Sequence, residues 1–277
     1  LINRDKIPGA QFFPDSTLNF AENLLINADS QAALSSHHED GTIETLTRKE
    51  LKERVTALAG WMQSQGVIKG DRVAAYIPNI QQAVETMLAA ASLGAIYSSC
   101  SPDFGFNGVF DRFSQIKPKL LVTVDGYFYA GKKISRVDII RQLKEKLPSL
   151  VHILVHDYSG KAWDLASEPK ISFYSDALEH SPIEEYTPVK FNDPLYILYS
   201  SGTTGAPKCI VHSVGGTLLQ HIKEHRLHSN ITKNASVFYF TTCGWMMWNW
   251  LVTALASKAS ILLFDGFPMY KSPELLL

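Results

Sequence analysis

Between Thr47 and Gly66 the apolar residues fall three and four apart, so that Leu51, Val55, Leu58, Ala59 and Met62 share one face of a helix. Thr47 followed by Glu50 has the form of a capping box, and Gly66 that of a C-terminal stop. A short continuous apolar run over 72–77, closed by Pro78, predicts a strand. The alternation then recurs. Helices are predicted over 79–93, 105–116 and 135–147, and strands over 95–98, 120–124 and 151–155, with Gly94 and Pro118 as stops.

Residues 157–194 break the rhythm. They hold Pro169, Pro182, Pro188 and Pro194 among many acidic and hydroxyl residues, and read as a long connection with one short helix near 176–179. A connection of this length joins subdomains, so a boundary is expected within 157–194. Alternation returns with a strand over 195–199, a glycine-rich turn, a helix over 216–227, a strand over 237–241, a helix over 245–257 and a strand over 260–264. Strands that alternate with helices and are apolar throughout belong to parallel sheets covered on both faces. The expected fold class is α/β, with two βαβ-type subdomains and largely parallel sheets.

Composition adds exclusions. The 277 residues carry 26 Lys+Arg against 27 Asp+Glu, a balance without the basic excess of a nucleic-acid binder. No run reaches the ~18 apolar residues of a membrane span; the longest candidate, 250–264, is broken by Ser257, Lys258 and Ser260. Cys100, Cys209 and Cys243 are far apart and form no C-x-x-C pair, which predicts reduced thiols and no zinc or other metal site. The chain opens on Leu1 and closes on Pro-Glu-Leu-Leu-Leu, the form of a helix's first turn, so a piece of a longer polypeptide is expected.

Chemistry concentrates in Tyr199-Ser200-Ser201-Gly202-Thr203-Thr204-Gly205-Ala206-Pro207-Lys208, directly after a predicted strand. Glycine permits positive φ and brings bare N–H groups close to an anion. Ser and Thr hydroxyls donate to phosphate oxygens, and Lys208 brings a mobile charge. The string is neither a Walker A loop nor a dinucleotide fingerprint, whose glycine and lysine spacings differ. The other reading of such a composition is a plain polar hairpin loop. Elsewhere, His212 reads as a hydrogen-bonded core histidine. His221, His225 and His228 read as a solvated basic helix face, and Glu50 with Arg54 as a surface ion pair.

The string Ser-Ser-Gly-Thr-Thr-Gly-x-Pro-Lys resembles the phosphate loop of the adenylate-forming superfamily, which includes acyl-CoA synthetases, firefly luciferase and peptide-synthetase adenylation domains. Thr17 to Asn23, Gly70-Asp71-Arg72-Val73 and Thr241 to Trp245 resemble further segments of its acetyl-CoA-synthetase-like branch. Within that branch the likeness is to acetoacetate-activating members. It is carried by 99–105 with Asp111, Arg112, Phe113 and Gln115, by 208–213 with Gly215, Gly216 and His221, and by 244–250.

The resemblance implies an incomplete N-terminal AMP-binding domain over 1–277, without the adenine and ribose segments or the small C-terminal domain with its lysine. It implies an ATP-dependent ligase that activates acetoacetate to acetoacetyl-AMP and passes the acyl group to coenzyme A. Mg²⁺ is the implied ion, and lipid and ketone-body metabolism in the cytosol the implied setting. This piece alone is expected to be inactive. Ser200, Ser201, Gly202, Thr203, Thr204, Gly205 and Lys208 are the implied ATP-phosphate-binding residues, Lys208 being also the catalytic one. Trp245, Met246 and Met247 are the implied acyl pocket. Trp248 and Trp250 cannot both share a helix face with Trp245, so at least one is expected in the core. Tyr129 stands where the branch has an arginine near coenzyme A, with Lys132 and Lys133 as replacements. Two alternatives stay open: an acetyl- or propionyl-CoA synthetase, and a short non-catalytic nucleotide-binding product.

Overall fold

The computed structural model describes residues 1–6, 9–26, 28–200 and 205–270. In chain order the first elements are β1 (Thr17–Leu18), α1 (Phe20–Leu25), β2 (Ala32–His38), β3 (Ile43–Thr47), α2 (Arg48–Ser64), β4 (Arg72–Tyr76), α3 (Gln81–Ser92) and β5 (Ile96–Cys100). Then come α4 (Phe106–Ile116), β6 (Leu120–Val124), β7 (Gly126–Tyr129), β8 (Lys132–Ser135), α5 (Val137–Lys146), β9 (His152–His156), β10 (Ile171–Phe173) and α6 (Tyr174–Leu178). The last are β11 (Val189–Lys190), β12 (Pro194–Ser200), β13 (Lys208–Ser213), α7 (Val214–Lys223), β14 (Ser236–Phe238), α8 (Met246–Thr253) and β15 (Ser260–Asp265).

Two sheets organise these elements. The larger runs β10-β9-β6-β4-β5-β12-β13, parallel except for the terminal β12–β13 pair. The smaller runs β14-β15-β2-β3, with only β2 and β3 antiparallel. Side-chain alternation assigns each face of the larger sheet a cover. Val73, Ala75, Leu120 and Val122 join the core that contains α2 and α3, while Ala74, Tyr76, Leu121 and Ile153 pack with Val109, Phe113, Ile140 and Leu143 of α4 and α5. Helices α2 and α3 also touch the smaller sheet and so lie between the two. Every residue of α3 is buried, as expected of a helix covered on all sides.

The capping box at α2 forms as predicted: the Glu50 amide donates to Thr47 Oγ1 and the Glu50 carboxylate accepts from the Thr47 amide. Glu50 is therefore not the partner of Arg54. Arg54 reaches across to Glu85 of α3 at 2.7 Å, and the Tyr174 hydroxyl donates to the same buried carboxylate at 2.7 Å. Inside the layer an unpaired carboxylate is far more costly than at the surface, which favours the Arg54–Glu85 pair.

The 157–194 segment contains a 3₁₀ turn at Ala162–Leu165 together with β10, α6 and β11. It does not separate the sheets, since β12 returns to the sheet that holds β9 and β10. The smaller sheet instead joins residues 32–47 to residues 236–265, far apart in sequence. The predicted helix turn at the end of the chain lies outside the described residues.

Candidate active site

Ser200 closes β12 and Lys208 opens β13, and the two residues are paired across the antiparallel ladder. The strands on either side of the phosphate-loop string are thus an antiparallel pair at the edge of the larger sheet. Gly205 sits at φ +104°, and a Cβ there would meet no atom within 4 Å. Backbone conformation, not space, requires glycine at this position. Ser201, Gly202, Thr203 and Thr204 lie outside the described residues. Helix α4 braces the hairpin: Gln115 Nε2 donates to the Pro207 carbonyl at 2.9 Å, and Arg112 lies 4.4 Å over the Phe104 ring and 5.7 Å from the Tyr199 ring.

β13 continues from the hairpin into the wall of a cavity of about 650 Å³. Val211, His212 and Ser213 line it from β13, Gly216, Thr217, Gln220, His221 and Glu224 from α7 and its extension, and Met246, Met247 and Trp250 from α8. Trp248 is fully buried in the core, where its Nε1 donates to Asn79 Oδ1 at 2.8 Å. Trp245, the N-cap of α8, is 69% exposed and is not part of the cavity lining. The structure therefore brings Met246 and Met247 together with Trp250 rather than with Trp245.

The histidines differ from the sequence expectation. α7 runs on into a π-type turn at Glu224–His228, closed by the Ser229 amide on the Glu224 carbonyl at 2.9 Å. The helix packs on α8, so His221 and His225 are buried and only His228 remains on a solvated face. His221 Nδ1 lies 2.9 Å from Thr253 Oγ1, and His225 meets the Trp250 ring edge-on at 4.5 Å. Burial pushes both imidazoles down to about 4 and keeps them neutral at physiological pH. Their i, i+4 spacing was the available signal; what it faced was not. His212 is half-buried, 3.3 Å from the Tyr196 hydroxyl through Nδ1, and also held below the usual histidine range by burial.

A second cavity of about 570 Å³ opens at the carboxyl ends of β4, β5, β14 and β15, the usual place for ligands in α/β sheets. Tyr127, Phe128 and Tyr129 of the β7–β8 hairpin border it, with Phe240, Phe264 and Phe267. That hairpin turns at Ala130 (φ 50°) and Gly131 (φ 73°), and the buried Glu39 carboxylate holds it by accepting from the Ala130 and Gly131 amides at 2.8 and 2.7 Å. Glu39 also accepts from the Phe267 amide at 2.8 Å and so ties the hairpin to the smaller sheet. Nothing in the sequence pattern marked Glu39, because its partners are backbone groups remote along the chain.

Among the described residues, no group of three or more His, Cys, Asp and Glu side chains is placed to hold a metal ion. None of their helices is long and apolar enough to cross a membrane. Cys100 and Cys243 are buried, Cys209 is exposed, and all three are free.

The antiparallel β12–β13 pair at the edge of the larger sheet leads into an open cavity lined by both apolar and polar side chains, within a domain of α/β class. The AMP-binding enzyme family matches residues 26–277, and the chain belongs to that family. It is 48% identical over 275 residues to acetoacetyl-CoA synthetase of Gallus gallus, and 46% identical over 270 residues to acetoacetyl-coenzyme A synthetase of Rhizobium meliloti. These alignments cover 96% and 97% of the chain. The solved structure of acetoacetyl-CoA synthetase from Streptomyces lividans superposes with a TM-score of 0.92 at 40% identity over 96% of the chain. In each case the chain spans about 41% of the relative's length.

Proposed function

We propose that these residues form part of an ATP-dependent acid–thiol ligase that acts on acetoacetate. A carboxylate oxygen attacks the α-phosphorus of ATP, forming acetoacetyl-AMP and releasing pyrophosphate. The coenzyme A thiol then attacks the acyl carbon, giving acetoacetyl-CoA and AMP. The observation that carries this reading is that one strand, β13, starts at Lys208 beside the phosphate-loop string and ends in the wall of the Met246–Met247–Trp250 cavity. A phosphate anchor and an acyl site on one rigid element hold the carboxylate in line with the phosphorus, which is most of what this chemistry requires. The names and the level of identity of the relatives support acetoacetate as the acid.

In this reading Thr203, Thr204, Gly205 and Lys208 hold the β- and γ-phosphates, Ser200, Ser201 and Gly202 shape the loop, and Lys208 steadies charge on the departing pyrophosphate. Met246 and Met247 shape the acyl site, with Trp250 as its third wall and Trp245 at its exposed margin. The donor set near the loop is hydroxyl and amide rather than carboxylate, which suits Mg²⁺ bound chiefly through phosphate oxygens. Mg²⁺ so bound neutralises charge on the triphosphate. The aromatic cavity bordered by Tyr129 is the proposed approach for coenzyme A, with Lys132 and Lys133 of the same hairpin near enough in sequence to meet its phosphates. Free cysteines support a reducing compartment such as the cytosol.

The test is acid-dependent ATP–pyrophosphate exchange by the longest natural polypeptide containing these residues. Acetoacetate is expected to support exchange better than acetate or propionate. Lys208→Ala is expected to lower kcat by about 100-fold, with a smaller change in the KM for ATP. A preference for acetate, or an unchanged kcat in Lys208→Ala, overturns the respective assignment.

A further inference from the structure

The cavity beside the phosphate hairpin is apolar along α8 and carries two imidazoles on its other walls, and these have opposite polarity. Tyr196 and His212 are direct partners across β12 and β13, so both project on the same face of the sheet. Their ring centroids are 5.1 Å apart, and the Tyr196 hydroxyl is 3.3 Å from His212 Nδ1. The Thr217 side chain also hydrogen-bonds this phenol. With Thr217 as the donor in that bond, the phenol keeps its own proton for Nδ1. Burial favours the neutral ring, and in that arrangement its single proton stands on Nε2. No hydrogen-bond partner for Nε2 is found among the described residues.

His221 is wired the other way. The Thr253 hydroxyl gives its proton to the Asn249 carbonyl at 2.7 Å. It can then only accept from His221 Nδ1, at 2.9 Å, which leaves a lone pair on the other nitrogen. A carbonyl oxygen in the cavity is bound by the first imidazole and repelled by the second.

We infer that His212, through Nε2–H, recognises the distal keto oxygen of the acyl substrate and selects a β-keto acid over a saturated acid of the same length. The inference rests on the ligase reading of this site. Geometry along the strand agrees with it. Lys208 and His212 are four residues apart and share one face of β13, about 13 Å at the usual rise per residue. The phosphate-binding lysine thus stands at one end and the imidazole at the other, with the acid's carboxylate between them. Tyr196 is a positioning residue: it touches no substrate and acts by fixing which nitrogen of His212 carries the proton.

The experiment compares acetoacetate with butyrate, which lacks only the keto oxygen, in ATP–pyrophosphate exchange by the full-length protein. His212→Leu is expected to lower the acetoacetate-to-butyrate ratio of kcat/KM by about 10–100-fold, the usual worth of one desolvated hydrogen bond. The loss should fall mainly on the KM for acetoacetate. His212→Gln keeps an N–H donor and is expected to recover part of the ratio. Tyr196→Phe frees the tautomer without altering the imidazole, is expected to lower the ratio less than His212→Leu, and carries the test if His212→Leu does not fold. A ratio unchanged in His212→Leu and Tyr196→Phe, with exchange still measurable, overturns the inference and leaves the ligase reading standing. Exchange with no carboxylic acid in the unmodified protein overturns the ligase reading, and this inference with it.

Discussion

Asp265 ends β15 half-buried, with the Tyr158 hydroxyl donating to its Oδ2 at 2.8 Å and the Glu39 carboxylate nearby. Burial is the largest influence and pushes this carboxyl up to about 7 from an ordinary 3.8. A raised carboxyl binds its proton more tightly folded than unfolded. Its stabilisation is complete below about pH 4, is lost as pH rises towards 7, and is level above that. Asp265→Asn mimics the protonated acid and keeps an oxygen for Tyr158. Its gain over the unmodified chain is expected to be near zero at pH 4 and to rise to a few kcal/mol above pH 7. Urea midpoints measured across that range check it, and a pH-independent difference counts against it. The half-buried His156 and the buried His221 and His225 act in the opposite sense. Each is held near 4 against an ordinary 6.5, so its share of stability is full above 6.5 and falls as pH drops towards 4. None of these groups could be told from a surface residue by sequence, because a shift reflects who surrounds the group, not what it is.

At the scale of elements, the helix signals were local and could be read directly. The Thr47–Glu50 box, the face from Leu51 to Met62 and the stops at Gly94 and Pro118 each act within a few residues. They placed α2, α3, α4 and α5 to within a residue or two of the observed ends. The strands β2, β3, β7, β8 and β13 left weaker marks. β13 is exposed for most of its length, so no apolar run announced it. The Ala130–Gly131 turn lacks the usual Asn-Gly signature and is held by Glu39 from 91 residues away. The pairing of Arg54 with Glu85 likewise depends on how α2 meets α3. Arg54→Ala leaves a carboxylate at 0% exposure with only the Tyr174 hydroxyl for company. It is expected to cost about 3 kcal/mol, somewhat discounted because Arg54 itself is part exposed. Chemical denaturation measures the cost, and a loss below about 1 kcal/mol, the range of a surface pair, overturns it.

For the molecule as a whole, Asn79 is a hinge of the architecture. It follows β4 of the larger sheet, donates to the carbonyls of Thr241 and Phe264 at 3.3 and 3.4 Å, and accepts from buried Trp248. One side chain thus links the end of the larger sheet, the end of the smaller sheet and the helix that carries Met246 and Met247. Asn79→Leu strands a buried indole N–H and two carbonyls. A loss of about 2–3 kcal/mol is expected, read as a lower thermal midpoint, and a stability equal to the parent's counts against the linking role.

By itself the sequence determined the α/β class and most of the helices and parallel strands, because capping and periodicity act over short stretches of chain. Tertiary structure alone decided that residues 32–47 complete a sheet with residues 236–265, and that Trp250 rather than Trp245 walls the cavity. It also decided that His221 and His225 face inward, and that His212 meets the Tyr196 hydroxyl through Nδ1. Each of these depends on contacts between segments far apart in sequence. Such contacts form only when whole layers pack, and burial then sets both the orientation and the charge of the groups enclosed.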